Sequence, residues 1–312
     1  MLALIGQNLM LTGEGDAMKL LMFGKTGQVA TALQACCPPG WHLIALDRAA
    51  ADLADPEACA ALIAGADADV VINAAAYTAV DRAEEQEALA RRINGDAPGA
   101  MARAAARKGI GLVHLSTDYV FDGSGTRGWQ PEDPVAPLNA YGRSKALGEV
   151  RVMAAGGPGT VVIRVSSVFS ATGGNFVRTM LRLAETRDQV QVVADQVSGP
   201  TAAKDVARMI LTLLPMLSSA AKPPFIAHYA GRPDVSWAGF AREIFRQAGH
   251  DVEVEEIPSV AWPTPARRPL NARLDCSLLA ARFGIPRPDW RDGLAETLAD
   301  LGIQPGRSGT AG

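Results

Sequence analysis

Tyr141 and Lys145 stand four residues apart in the stretch Tyr141-Gly142-Arg143-Ser144-Lys145. On a helix, positions i and i+4 share a face, so the phenol and the ammonium project together. A neighbouring positive charge favours the phenolate and draws a tyrosine down from its usual ~10 toward working pH. Such a tyrosine can hand a proton to a carbonyl oxygen while a hydride arrives at the carbon. Thr117, in Ser116-Thr117-Asp118-Tyr119-Val120-Phe121, offers a hydroxyl to the same oxygen. Taken alone, a Tyr and a Lys at this spacing also fit an exposed helix face, so the elements that position them decide between the two.

From Met18 onward, short apolar runs alternate with longer amphipathic stretches. The runs Lys19–Phe23, Leu43–Leu46, Val70–Asn73, Leu112–Ser116 and Val161–Val165 read as strands. Gly27–Cys37, Pro56–Ala64, Ala83–Lys108 and Ala140–Ala154 read as helices. Continuously apolar strands alternating with helices predict an α/β fold with a doubly wound parallel sheet, Rossmann-type, covered on both faces.

Each chemical feature then falls at the carboxyl end of a successive strand. The first strand ends in Gly24-Lys25-Thr26-Gly27-Gln28-Val29-Ala30, a glycine-containing turn whose backbone N–H groups can meet a pyrophosphate at a helix N-terminus. The second ends at Asp47, roughly 20 residues on, where a carboxylate can accept from an adenosine ribose. Arg48 follows and suits a 2′-phosphate, so NADH and NADPH both stay open. The third ends in Asn73-Ala74-Ala75-Ala76, small enough for a flat ring or phosphate to lie on the backbone. The fourth presents Thr117.

The later chain is less regular. Helix-like Phe176–Thr186, strand-like Val190–Val193, a helix over Ala202–Leu217, a strand over Phe225–Tyr229 and a helix over Trp237–Ala248 precede a proline-rich stretch, Ile257 to Pro269, and two terminal helices ending near Leu301. The expected organisation is a cofactor-binding domain over 18–170 with elements returning around 190–230, and a smaller, interleaved C-terminal substrate domain over 171–189 and 231–304. Residues 1–17 lack the Lys or Arg of a secretory signal and are expected to be a poorly ordered extension from an upstream start, with 305–312 a tail.

The 312 residues are 48% hydrophobic and 20% charged, ordinary for a globular protein. Lys plus Arg number 30 against 33 Asp plus Glu, a net charge of −3, with no basic stripe to mark a nucleic-acid binder. No apolar stretch reaches the roughly 20 residues of a membrane span. The 4 cysteines include adjacent Cys36 and Cys37 with no CxxC pair, which predicts reduced, buried thiols and a cytoplasmic location. The 4 histidines show no metal-binding spacing. Trp129 and Trp237 are expected to be packing groups.

The sequence resembles the extended short-chain dehydrogenase/reductases, and within them the dTDP-4-dehydrorhamnose reductase family. The matching segments are Gly24–Gln28, Asn73–Asp81 (NAAAYTAVD), Ser116–Gly123 (STDYVFDG), Pro137–Lys145 (PLNAYGRSK), Gly174–Leu181 (GNFVRTML), Asp195–Thr201 (DQVSGPT) and Pro263–Leu274 (PTPARRPLNARL). The resemblance implies hydride transfer from NADPH, with NADH as the alternative, to C4 of dTDP-4-dehydro-β-L-rhamnose. It makes Tyr141 the proton donor, has Lys145 hold the nicotinamide ribose and tune Tyr141, and has Thr117 orient the sugar carbonyl.

The cofactor path would be lined by Gly24, Thr26, Gly27, Gln28, Val29, Asp47, Arg48, Asp52, Leu53, Ala74, Ala75, Ala76 and Thr78, with Tyr141 and Lys145. The nucleotide-sugar would meet Thr117, Asp118, Ser167, Asn175, Gln196, Arg268 and Arg273. Loop capping is the plainer role for Asn175 and Gln196. Arg267, Arg268 and Arg273 have guanidinium groups suited to a diphosphate, or to ion pairs. Some relatives carry magnesium, whose ligands the sequence does not locate, and a homodimer is compatible with the family.

Two positions depart from the family. Ser167, in Arg164-Val165-Ser166-Ser167-Val168-Phe169, replaces a tryptophan expected to line the nucleotide-sugar site, and Tyr77 stands where histidine is frequent. Ser167 keeps open a reductase or epimerase acting on a different nucleotide sugar. A non-catalytic, cofactor-binding regulatory subunit is the reading from another class, opposed by intact Tyr141, Lys145 and Thr117. A 4,6-dehydratase would need a glutamate where Tyr119 stands.

Overall fold

Strand β1 (Lys19–Phe23) alternates Leu20 and Met22 toward one face with Leu21 and Phe23 toward the other, and both pairs are buried. A strand apolar on both sides must sit inside a sheet covered twice. The computed structural model, which describes residues 17–218 and 223–303, places it so. β1, β2 (His42–Leu46), β3 (Val70–Asn73), β4 (Gly111–Thr117), β5 (Thr160–Val165) and β6 (Phe225–Tyr229) form one parallel sheet in the order β6-β5-β4-β3-β1-β2. Helices Gln28–Cys36 and Ala203–Ser218 pack on the Leu20/Met22 face, and Pro56–Gly65 and Ala97–Lys108 on the other. The order reverses at β1, which has β2 on one side and β3 on the other, and the crevice above that switch point is where such sheets bind ligands. The bulk of the expected N-terminal extension and the expected tail lie outside the described residues.

The helix expected over Ala83–Lys108 is broken. Helices Val80–Ala83 and Glu87–Arg91 lead into a π-helical turn, Arg92–Asp96, before Ala97–Lys108. Pro98 has no N–H to return to the Asn94 carbonyl four residues back, so the turn widens there. The widened turn is used: Asn94 Oδ1 accepts from Tyr77 N at 2.8 Å, while Nδ2 donates to Tyr77 O and to Ser144 Oγ, each at 2.9 Å. One side chain thereby ties the loop after β3 to the helix carrying Tyr141.

Beyond β5 a second core gathers Phe169, Val177, Met180, Phe240, Ile244, Phe245, Trp290 and Leu294. The expected strand at 190–193 forms as Gln189–Val193, but it pairs with Glu253–Ile257 and not with the large sheet. Its burial alternates, so it has only one apolar face and suits a sheet covered once. Helix Ala203–Ser218 and β6 do return to the large sheet. Cys59 and Cys276 are buried as expected, but Cys36 and Cys37 are only half-buried, since both fall at the end of the first helix; all are free thiols. No helix among the described residues is long and apolar enough to cross a membrane.

Candidate active site

Asn139 opens the catalytic-candidate helix Ala140–Ala155 as its N-cap, its side chain accepting from Gly142 N at 2.8 Å. Gly142 brings this helix onto the Tyr119 carbonyl so closely that any Cβ there would overlap it. Tyr141 is thus held against the end of β4, its ring edge-on to Tyr119 with centroids 5.9 Å apart. The Thr117 hydroxyl lies within reach of the phenol. It donates to Asp118 Oδ1 at 2.9 Å, and Asp118 Oδ2 accepts from Ser166 Oγ at 2.5 Å. Burial drives Asp118 up to about 6, against the pull of the Ser166 and Thr117 hydrogen bonds. Sequence reasoning missed Ser166, which sits beside the Ser167 departure and carries no motif of its own.

The electrostatics differ from the expectation. Tyr141 is not drawn down: desolvation pushes it up to about 12, with Thr117 offsetting part of the rise and the Asp118 charge adding to it. Lys145 is buried, and desolvation brings it down to about 8 while Glu149 opposes the fall. Its ammonium donates to the Leu115 carbonyl at 2.6 Å. The spacing puts both groups on one helix face, but the backbone of β4 takes the lysine's hydrogen bond.

At the switch point, Gly24 adopts φ +105°, and a Cβ built there would lie 3.2 to 3.3 Å from the Ala74 and Ala75 backbone. Only glycine permits that approach in that conformation. Gly27 caps the first helix with open space around it. Thr26 and Thr78 are exposed, and Ala74, Ala75 and Ala76 half-exposed. Val29 and Leu53 turn their side chains into the core, leaving only their backbone for a ligand. Asp47 accepts from Ala50 N at 3.0 Å and lies 3.7 Å from Lys25 Nζ. Arg48 is exposed, 3.5 Å from Asp52.

Gln28 and Asn175 meet: Asn175 Nδ2 donates to Gln28 Oε1 at 3.0 Å, while Asn175 Oδ1 caps Phe176–Ala184 by accepting from Arg178 N at 3.2 Å. Ser167 holds φ +45°, the one non-glycine left-handed backbone among the described residues, and its hydroxyl pairs with Ser198 at 2.8 Å. Arg268 does not stand free for a diphosphate, because it grips both Asp81 carboxylate oxygens at 3.1 and 2.8 Å. Arg273 is held by Asn271 Oδ1 at 2.9 Å. Gln196 donates to Ser259 Oγ at 2.8 Å and lines a cavity of about 870 Å³ that also takes in Asp122, Leu138, Arg267 and Arg268. Trp129 and Trp237 pack as expected, on Phe121 and Phe176. Among the described residues no cluster of His, Cys, Asp and Glu is placed to hold a metal ion.

A parallel sheet with this switch point, carrying Tyr, Lys and Thr at its carboxyl edge, defines an oxidoreductase of the short-chain dehydrogenase/reductase class. The profile of the RmlD substrate binding domain matches residues 18–303. A dTDP-4-dehydrorhamnose reductase of Sinorhizobium fredii is 42% identical over 281 residues, covering 88% of this chain and 95% of its own. Among solved structures, a dTDP-4-dehydrorhamnose reductase from Clostridium acetobutylicum superposes with TM-score 0.85 at 35% identity, over 92% of this chain and 100% of that one. The one from Bacillus anthracis, in complex with NADP, gives TM-score 0.85 at 30% identity, over 91% and 99%. The chain belongs to the dTDP-4-dehydrorhamnose reductase family.

Proposed function

We propose that this chain reduces the C4 carbonyl of dTDP-4-dehydro-β-L-rhamnose with NADPH, or less readily NADH, to give dTDP-L-rhamnose. The observation that carries the reading is the Tyr141–Thr117 pair at the carboxyl edge of β4, in the same sheet as the Gly24–Ala74 crevice. That crevice fits a dinucleotide, since the missing Cβ at Gly24 and the open helix N-terminus at Gly27 leave backbone N–H groups for a pyrophosphate. The nicotinamide, when bound, supplies the hydride.

Thr117 orients the sugar carbonyl, and Tyr141 gives its phenolic proton to the C4 oxygen as negative charge develops there. Lys145 holds the nicotinamide ribose, and Asp118 helps to fix the sugar. Lys25 and Arg48 beside Asp47 favour a 2′-phosphate, hence the order of cofactors. No step is assigned to magnesium. Cofactor binding falls to residues 18–170 with the returning helix and β6, and nucleotide-sugar binding to the later elements. A homodimer belongs to the same proposal.

The test is nicotinamide absorbance with purified protein and enzymatically generated dTDP-4-dehydrorhamnose, with NADPH and NADH in separate runs. Oxidation coupled to dTDP-L-rhamnose is the expected result. Ser167 favours a second reading, another 4-keto nucleotide sugar, which the same assay with alternative sugars would reveal. Cofactor binding without oxidation of any sugar would instead leave a regulatory subunit.

A further inference from the structure

Trp262 is unlike the other tryptophans. Trp41 packs against the sheet core, Trp129 stacks on Phe121, Trp237 lies against Phe176 and Trp290 is buried edge-on to Phe240. Trp262 is 57% exposed, has no ring partner among the described residues, and lines the cavity of about 870 Å³. An indole left in water forfeits the burial that makes aromatic side chains stabilising, so one held in a concave polar site calls for a ligand that covers it.

The segment bearing Trp262 is held in place. Both Asp195 carboxylate oxygens accept from Ser259 N, at 2.9 and 3.0 Å, and Oδ1 also accepts from Ser259 Oγ at 2.5 Å. Trp262 N donates to Ser259 O at 3.0 Å, closing the short turn Ser259–Ala261, and Pro263 follows. Gln196 Nε2 joins the same serine, which leaves the Gln196 carbonyl oxygen available as an acceptor on the cavity wall. Arg268, on the cavity wall, also lies close enough to Tyr119 for its charge to act there, and the Tyr119 ring in turn meets Tyr141. Arg267 is exposed on the same wall.

We infer that Trp262 is the platform on which the base of a pyrimidine nucleotide stacks, with the Gln196 carbonyl oxygen accepting from the base N3–H. The sugar end of such a ligand then reaches Tyr141, and its diphosphate passes Arg267. This rests on the nucleotide-sugar reading above and names the residue that reads the base. It also supplies an aromatic surface in a chain whose family tryptophan is replaced by Ser167.

The experiment is calorimetric titration of the full chain with dTDP and with UDP, alongside NADPH as a control, for the wild type and for Trp262→Phe, Trp262→Leu and Trp262→Ala. Because the side chain is exposed, the variants should fold, which circular dichroism verifies. Loss of a base–aromatic stack weakens binding by roughly ten- to a hundred-fold, the expected change in dTDP affinity for the Leu and Ala variants, while Phe stays within a few-fold and NADPH binding does not move. A Trp262→Ala protein that binds dTDP as tightly as the wild type overturns the inference, as does a wild type that binds neither dTDP nor UDP. A dTDP response to Trp262 in a protein that reduces no dTDP-4-dehydro sugar supports the stacking platform and overturns only the proposed reaction.

Discussion

Lys145 gives its hydrogen bond to the carbonyl of Leu115, at 2.6 Å, from the buried side of the helix that carries Tyr141. Desolvation holds it near 8, so it is cationic at neutral pH and loses its proton as the solution turns alkaline. If the cation is the working form, kcat/KM falls as pH rises through about 8, because that ratio reports the free enzyme. A Lys145→Arg protein, whose guanidinium stays charged, should lack this alkaline limb even if its overall rate is lower. A pH–rate profile with the same limb in both proteins would remove Lys145 from the explanation.

Tyr141 sits at about 12 in the free protein, so it is present as the protonated phenol throughout the neutral range and can act as an acid without prior activation. Tyr141→Phe should cut kcat by roughly 10²- to 10⁴-fold, the usual worth of a positioned proton donor. Thermal unfolding should change little, since the ring is kept. Steady-state kinetics with wild-type turnover in Tyr141→Phe would dismiss it as the donor.

Asp118 gives a stability signature with a definite sign. Its carboxyl is held at about 6 against an ordinary 3.8, so the native state keeps a proton that the unfolded state has released between those values. Stability therefore falls as pH rises from about 4 to about 6, by about 3 kcal/mol for this group. Asp118→Asn should remove that decline, so in urea unfolding the wild type loses stability relative to the variant as pH rises across the window. A pH-independent difference would contradict the buried, partly protonated carboxyl.

The two glycines of the turn after β1 should behave differently. Gly24→Ala forces a Cβ into φ +105° and against the Ala74 backbone, a strain of about 1–3 kcal/mol that also pushes the crevice walls apart. Gly27→Ala meets open space at an ordinary φ of −71°. Gly24→Ala should lower Tm by several degrees and weaken NADPH binding, whereas Gly27→Ala should leave Tm nearly unchanged. Equal Tm losses would mean that the close approach to Ala74 is not what demands glycine.

These contrasts follow what a sequence can carry. The five strands up to β5 were legible because each is a short, continuously apolar run, and the residues ending them inherit their place at the sheet edge. The break at Arg92–Asp96 was not, because alanine-rich helical segments lie on both sides of it, and the Asn94-Gly95 pair and Pro98 that mark it are also tolerated within helices. The pairing of Gln189–Val193 with Glu253–Ile257 joins segments far apart in the chain, and only the alternating burial of the first and the three glutamates of the second separate them from the main sheet. At the site, spacing placed Tyr141 and Lys145 on one face but was silent on burial, which sets both their protonation states. Trp262 lies in a proline-rich stretch without period, where nothing local tells an exposed indole from a packed one.

The buried pair Glu149–Arg164 lies one helical turn beyond Lys145 and joins three elements of the large-sheet unit. Arg164, only 2% exposed, donates to both Glu149 oxygens at 2.9 and 2.6 Å, and Ser116 Oγ, next to Thr117 on β4, donates to Glu149 Oε1 at 2.5 Å. Arg164 also contacts His228 at 3.2 Å and lies over the Phe121 ring at 4.9 Å. Removing one partner strands a charge in the core, so Glu149→Gln or Arg164→Met should each cost about 3–5 kcal/mol in urea unfolding. The double variant leaves no stranded charge, and its loss should fall well short of the sum of the two. If the losses simply add, the pair is not coupled and the register of Ser116 and Thr117 against the Tyr141 helix must be held by the backbone alone.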